Sequence, residues 1–182
     1  MKKQPAKLLD STCRVVVLAV DTARVSGWAI RLEHRLKYSG ELDTLDAHEL
    51  DMVCALTASV SRTAYCQHRP ILVLEKPWGG RVQTQVALGM ARERWLQAWD
   101  RAGQSHTRLV SVNPSTWRSR VLMRGAHALP RDEVREHERL SAQAEVGAHI
   151  TLGEDERTAV LISKWAAFSQ PVAKLCGKEV QP

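Results

Sequence analysis

The chain has 182 residues, 44% of them hydrophobic, which suits one well-packed domain and leaves little room for a second. No apolar run approaches membrane-spanning length, and the basic N-terminus lacks the long apolar segment of a secretion signal. The net charge of +6 favours a polyanionic partner. The four cysteines form no CxxC pair, which argues against a zinc site and for reduced, mostly buried thiols.

The spacing of apolar residues predicts strands where it alternates and helices where it recurs every three to four residues. In chain order, the predicted elements are strands at 13–20, 26–32 and 36–42, a helix at 46–66, a strand at 70–74, a helix at 83–102, a strand at 106–112, and helices at 115–123, 131–146 and 154–167. We expect Asp43 or Thr44 to cap the first helix. This order predicts an α/β fold, a mixed five-stranded sheet of three antiparallel strands and then parallel strands, flanked by helices.

The predicted elements form one domain, residues 13–169. We expect residues 1–12 to be a flexible basic arm, because MKKQPAKLL is charged and carries no strand or helix pattern. Residues 170–182 contain two prolines and are predicted to be a loose tail.

Three acidic positions lie far apart in the sequence but at comparable structural points. Asp21 and Glu75 each end a buried strand, and Asp155 lies in the acidic start of the last helix. A turn and the helix dipole would explain these acids without any function. If the strands are parallel neighbours, however, the carboxylates meet and need a cation between them, and all-oxygen ligands suit Mg²⁺ or Mn²⁺. Acids of this kind on a basic protein suggest metal-dependent cleavage of nucleic acid.

Five further segments between residues 14 and 168 are informative as a set: VDTARVSGWA (20–29), LVLEKPW (72–78), ALGMAR (87–92), SVNPSTWRSRV (111–121) and DERTAVLIS (155–163). In order and spacing they resemble the motifs of RuvC-type Holliday-junction resolvases, which have the RNase H-like fold. The tryptophan and arginines of the fourth segment are closer to the phage and organellar branches of that family. Each motif alone is weak, and their order makes the set more specific.

The resemblance implies a two-metal active site for phosphodiester hydrolysis, with two Mg²⁺ or Mn²⁺ ions. Asp21 looks like the acid that bridges both ions, Glu75 like a ligand of one, and Asp155 like a ligand of the other. The family usually has a further acid one helical turn after the third, where this chain has Thr158. The other two acids of the last helix start could substitute for it, and the candidates are Glu154 and Glu156.

The resemblance also implies a DNA-binding surface and a homodimer. Trp78 stands where the family places an aromatic that stacks in the junction; a tryptophan packed beside a turn is the alternative. The candidate phosphate contacts are Arg81, Arg118, Arg120 and Arg124, with a solvated charged surface as the alternative. Trp95 and Trp99 lie one turn apart on the helix at the family's dimer interface, and core packing is again the alternative.

The leading functional hypothesis is an enzyme, a crossover junction endodeoxyribonuclease that resolves four-way DNA junctions by symmetric nicking. A junction-binding protein with weak or lost cleavage is the first alternative, and Thr158 motivates it. A nuclease acting on RNA–DNA hybrids or structured RNA is the second, because one fold hosts many substrates. The expected compartment is the cytoplasm of a bacterial or phage-infected cell, or an organellar matrix, and no membrane association is expected.

Overall fold

The computed structural model describes residues 15–64, 69–77, 81–122, 129–147 and 149–176. The strands are β1 (Val16–Asp21), β2 (Val25–Leu32), β3 (Arg35–Asp43), β4 (Ile71–Glu75) and β5 (Leu109–Val112). The helices are α1 (Ala47–Thr63), α2 (Val82–Arg101), α3 (Pro114–Val121), α4 (Arg131–Val146), α5 (Glu154–Ala167) and α6 (Gln170–Leu175). The described residues therefore form an α/β domain, which confirms the predicted fold class.

The five strands form one mixed sheet in the order β3-β2-β1-β4-β5. The strands β1, β2 and β3 pair antiparallel, whereas β4 pairs parallel with both β1 and β5. Val20 of β1 lies opposite Leu74 of β4, one residue before the last residue of each strand. The acidic residues that end these two strands are therefore neighbours at the same edge of the sheet.

Helices cover both faces of the sheet, and each face has its own hydrophobic cluster. Because side chains alternate along a strand, Leu18 and Leu72 point to the face covered by α1 and α2. Ala19 and Val73 point to the opposite face, where α5 packs across β1 and β2. By the same alternation, Asp21 and Glu75 extend from the face covered by α5.

Three details differ from the sequence predictions. Asp46, rather than Asp43 or Thr44, caps α1 by accepting hydrogen bonds from the backbone N–H groups of residues 48 and 49. Residues 106–108 form a 3₁₀ turn instead of the start of a strand, because the Ser105 side chain accepts a hydrogen bond from Thr107 N. The predicted loose tail is wrong for residues 170–176, which form and follow α6. The physical reason is that Val172 is buried in the core.

Several predicted features lie outside the described residues: the arm 1–12, Trp78, Arg124, Cys13, Cys66 and residues 177–182. The other two cysteines, Cys54 and Cys176, are buried, as predicted. Burial raises the pKa of the Cys54 thiol to about 12, which makes it a poor nucleophile at neutral pH. Within the described part of the chain, no helix is both long and apolar enough to cross a membrane.

Candidate active site

Asp21 and Glu75 meet at the carboxyl ends of two parallel strands. Burial raises the pKa of Asp21 well above its ordinary value, and the charge of Glu75 and a hydrogen bond between the two carboxyl groups raise it further. The charge of Asp155 adds to this effect, and the charge of Arg118 opposes it. Two desolvated carboxyl groups in contact share a proton or bind a cation, because both cannot stay ionised alone.

A buried indole also contacts Glu75. Trp117, in the middle of α3, is 0% exposed, and its Nε1–H donates a hydrogen bond of 2.7 Å to Glu75 Oε1. The hydroxyl of Thr22 donates to the backbone carbonyl of Glu75 at 3.1 Å, which ties the loop after β1 to the end of β4. Glu75 is thus fixed through both its backbone and its side chain.

Asp155 reaches this edge of the sheet because a glycine lets α5 approach. Gly27 of β2 pairs with Asp21, and a Cβ at residue 27 would overlap the backbone carbonyl group of Asp155. Only a residue without a side chain therefore allows the first turn of α5 to lie on the sheet beside Asp21. Burial raises the pKa of Asp155, and the charges of Glu41 and Glu154 raise it further.

A carboxylate from the edge strand caps α5. Glu41 of β3 accepts hydrogen bonds of 3.1 Å from the backbone N–H groups of both Asp155 and Glu156. Gly153, the residue before the helix, leaves room for this carboxylate, which a Cβ there would displace. Glu41 therefore does from a distant strand what an N-cap side chain usually does locally.

The two candidate substitutes for the missing acid are engaged by other partners, although Glu154 lines the same cleft as Asp21. Glu156 accepts a hydrogen bond of 2.7 Å from the Ser39 hydroxyl and one of 3.4 Å from Gly153 N, so it belongs to the cap. Glu154 forms an exposed ion pair of 3.0 Å with Arg135 of α4. Neither carboxyl group contributes to the raised pKa of Asp21. Among the three acids of this turn, Asp155 is the one coupled to the strand-end pair.

Thr158 lies beside Asp21, where the resemblance expects an acid. It is 7% exposed, and its hydroxyl donates to the backbone carbonyl of Glu154 at 3.3 Å. Thr158, Asp21 and Asp155 line the same cleft, which has a volume of about 470 Å³. Thr158 therefore lines the cleft of the acids but brings no negative charge to it.

Basic side chains line the other wall of this cleft. Arg118 lies 4.8 Å from the centre of the Trp117 ring and forms an ion pair of 2.6 Å with Glu138. Arg131 and Arg135, at the start of α4, also line the cleft, and the sequence analysis did not select them. The sequence does contain a pattern that indicates them, because two arginines four residues apart lie on one face of a helix.

The remaining basic candidates lie elsewhere. Arg120 lines a separate cavity together with Lys164, which is paired with Glu145 at 2.9 Å. Arg81 is exposed at the start of α2. Of the predicted phosphate contacts in the described residues, the structure brings Arg118 to the acids and leaves Arg81 and Arg120 out of their cleft.

The assignment of Trp95 and Trp99 to a dimer interface is corrected by their burial. Both side chains are 0% exposed and pack beneath the sheet with α1, because the C-terminal half of α2 lies in the core. The N-terminal half of α2 is exposed instead. Its large apolar side chains, spaced four residues apart, are Val82, Val86 and Met90.

The donor atoms of these residues suit a metal ion, but their arrangement does not complete a metal site. The raised pKa of Asp21 reports a desolvated, oxygen-only pair of the kind that Mg²⁺ or Mn²⁺ neutralises. Among the described residues, however, no three His, Cys, Asp or Glu side chains converge closely enough to hold a metal ion. The pair of Asp21 and Glu75 is assembled, and Asp155 lies beside it without completing a three-carboxylate cluster.

The sheet order, the helices on both faces and the acids at the ends of β1 and β4 define an α/β domain of the RNase H-like class. No protein-family model matches the sequence, and no curated protein matches it. Solved structures do. The Thermus thermophilus RuvC structure in complex with a Holliday junction substrate matches with a TM-score of 0.60 and 12% identity, over 85% of this chain and 93% of that one.

A second Thermus thermophilus RuvC structure gives a TM-score of 0.59 and 13% identity, over 85% of this chain and 94% of that one. The chain therefore has a RuvC-like fold. At this identity the likeness concerns the fold alone, and the chemistry depends on the side chains of the site.

Proposed function

We propose that this chain is a structure-selective DNA endonuclease that resolves four-way junctions by paired, metal-dependent nicks. The observation that carries the proposal is the contact of Asp21 with Glu75 at adjacent strand ends, with Asp155 held beside them. The RuvC-like fold supports a nuclease, and one solved structure with this fold is in complex with a Holliday junction.

Two Mg²⁺ or Mn²⁺ ions, when bound, would activate the attacking water and stabilise the leaving oxygen of the phosphodiester. Asp21 would contribute to both metal sites, Glu75 to one and Asp155 to the other. The site that includes Glu75 is the stronger, because its two carboxyl groups already touch. The site that includes Asp155 is the weaker, because Thr158 contributes no charge there.

The basic wall of the cleft would hold the DNA backbone against the acids. Arg118 would contact a phosphate near the cut, in exchange for its ion pair with Glu138. Arg131 and Arg135 extend this wall along α4. Arg81, Arg120, Arg124 and a base stacked on Trp78 remain proposed DNA contacts.

A homodimer would match the two-fold symmetry of a four-way junction and deliver two cuts. The exposed apolar side chains of α2 support a revised interface at Val82, Val86 and Met90. Met90→Glu should convert a dimer to a monomer in sedimentation. Met52→Glu, at an equally exposed methionine of α1, is the matched control and should leave the mass unchanged. A wild-type monomer at micromolar concentration would contradict this interface.

Asp21→Asn tests the proposed activity. It removes the charge at the centre of the site, so we expect loss of junction nicking with junction affinity unchanged. Asp51→Asn is the control, because Asp51 pairs with Arg101 at an exposed position outside the cleft. Junction nicking by Asp21→Asn at the wild-type rate would show that Asp21 is not a catalytic ligand.

Thr158, together with the incomplete convergence of three carboxylates in the described residues, supports a second candidate. In this candidate the chain binds four-way junctions and cuts them slowly or not at all. Tight binding of a synthetic junction with no nicks in Mg²⁺ or Mn²⁺ would favour it, and rapid nicking in either metal would exclude it.

A further inference from the structure

The hydrogen bond from Trp117 to Glu75 joins a core residue to the candidate metal site. At 2.7 Å it lies at the short end of the range for N–H donors, as expected when the acceptor is a carboxylate. An indole N–H can only donate, so Glu75 Oε1 is the acceptor and its position is set by the buried indole.

The path of the chain places Trp117 against Glu75. Val112, the last residue of β5, pairs with Glu75 of β4, and Pro114 then begins α3. Trp117 lies one turn into this helix, which folds back over the end of β4. Its ring is covered on one side by the guanidinium of Arg118.

Other core tryptophans show that this fold does not need a carboxylate to accommodate an indole. Trp95 is also 0% exposed, and its Nε1 has no hydrogen-bond partner within the described residues. Trp99 Nε1 reaches only the backbone carbonyl of Ser105, at 3.5 Å. Trp117 is thus the buried indole that engages one of the candidate ligands.

We propose that Trp117 is a positioning residue for Glu75. It holds Oε1 through the indole N–H, so that Oε2 would be the atom available to a metal ion and Glu75 would act as an oriented, single-oxygen ligand. This inference rests on the proposed function, since it concerns the same site. Partners that orient a ligand typically change metal affinity by about 10- to 100-fold when they are removed.

The test compares Trp117→Phe with Trp95→Phe in the full-length, metal-free protein. Both substitutions replace a fully buried indole by the same smaller ring, but only the first removes a hydrogen bond. Mn²⁺ affinity, measured from the electron paramagnetic resonance signal of free Mn²⁺, should fall about 10-fold or more in Trp117→Phe. It should stay within about two-fold of wild type in Trp95→Phe, although both variants lose thermal stability.

The indole N–H resonance of Trp117 gives a readout independent of activity. In the proton–nitrogen spectrum, the signal lost in Trp117→Phe should move on addition of Mg²⁺ and should also move in Glu75→Gln. If Trp117 has a purely structural role, both tryptophan variants lose stability equally and Trp117→Phe binds Mn²⁺ as tightly as the wild type. The indole resonance also stays in place when Mg²⁺ is added. That result overturns the inference.

The two proposals can fail separately. If the wild-type protein nicks junctions and the Trp117→Phe variant binds Mn²⁺ with wild-type affinity, only the role of Trp117 is refuted. Wild-type protein that binds Mn²⁺ through a Trp117-dependent site, but nicks no junction, refutes only the nuclease. Wild-type protein that binds no Mn²⁺ at millimolar concentration overturns the positioning role.

Discussion

The two halves of the candidate active site are built differently. The half formed by Asp21 and Glu75 rests on two parallel strands in register, and its carboxyl groups are in contact and supported by a buried indole. The half formed by Asp155 rests on the first turn of α5, held by a glycine beneath it and a distant carboxylate cap. Where the family pattern expects another acid, this half has a threonine.

We infer that the paired strands hold their acids more rigidly than the start of α5 holds Asp155. Strand register is fixed by a ladder of backbone hydrogen bonds, which sets the positions of Asp21 and Glu75 relative to each other. The second half depends on a few contacts at the protein surface, and its acid is partly exposed. We therefore expect the first half to bind metal more tightly and to tolerate substitution less.

The largest expected effect concerns loss of a ligand from each half. Glu75→Gln should reduce the rate of junction nicking by about 1000-fold or more, which corresponds to about 4 kcal/mol. Asp155→Asn should reduce it by only about 100-fold, because the half-site that it weakens is already incomplete. Single-turnover cleavage on a pre-bound junction measures both rates. A greater loss in Asp155→Asn would reverse the proposed ranking of the two halves.

A second test displaces the Asp155 half without changing any acid. Gly27→Ala places a methyl group against the backbone of Asp155, which should shift α5 and cost about 1–3 kcal/mol of unfolding free energy. Gly89→Ala on α2 is the matched control, since a Cβ there has open space, and it should be neutral or stabilise by up to about 1 kcal/mol. Equal unfolding temperatures for the two variants would refute the close approach at Gly27.

A third test restores the acid that the second half lacks. Thr158→Asp adds a carboxylate beside Asp21 in the cleft, so it should lower the Mg²⁺ concentration for half-maximal nicking. Without metal, the same variant should unfold at a lower temperature, because another buried like charge joins the cluster. Thr158→Asn, which has the same shape without the charge, is the control. An unchanged Mg²⁺ requirement in Thr158→Asp would show that residue 158 does not face the metal.

The smallest expected effect is a gain in stability on neutralising Asp21. A carboxyl group whose pKa is raised on folding costs stability as pH rises from its ordinary pKa of 3.8 through its raised value. Asp21→Asn should therefore unfold at a higher temperature than wild type at pH 7–8 without metal, by about 2–4 °C for each kcal/mol relieved. The gain should shrink toward pH 4, where Asp21 is protonated. A gain that persists unchanged at pH 4 would exclude the charge as its cause.

The first half of the site could be predicted from sequence because its signal is local. A buried apolar run that ends in one acid marks the edge of the sheet, and two such runs predicted the meeting of Asp21 with Glu75. The cap on α5 could not be predicted in this way, because Glu41 lies 114 residues before Asp155. Likewise, nothing local indicates that the indole of residue 117 points at a strand end.

The burial of Trp95 and Trp99, which the sequence analysis considered for a dimer interface, has a similar cause. In α2 the sequence shows a single apolar stripe, which includes Val86, Met90 and Leu96. In the structure, the helix leaves the core partway along its length, so Leu96 is buried while Val86 and Met90 are exposed. Periodicity identifies the apolar face of a helix, but tertiary contacts decide which part of that face is covered.

The proposed nuclease activity is tested by cleavage of a synthetic four-way DNA junction. The wild-type protein is incubated with the junction, a linear duplex of the same sequence and an RNA–DNA hybrid, each in Mg²⁺, Mn²⁺ or EDTA. We expect paired nicks on the junction alone, present in either metal and absent in EDTA. Preferential cutting of the hybrid, or tight junction binding without nicks in both metals, would contradict it.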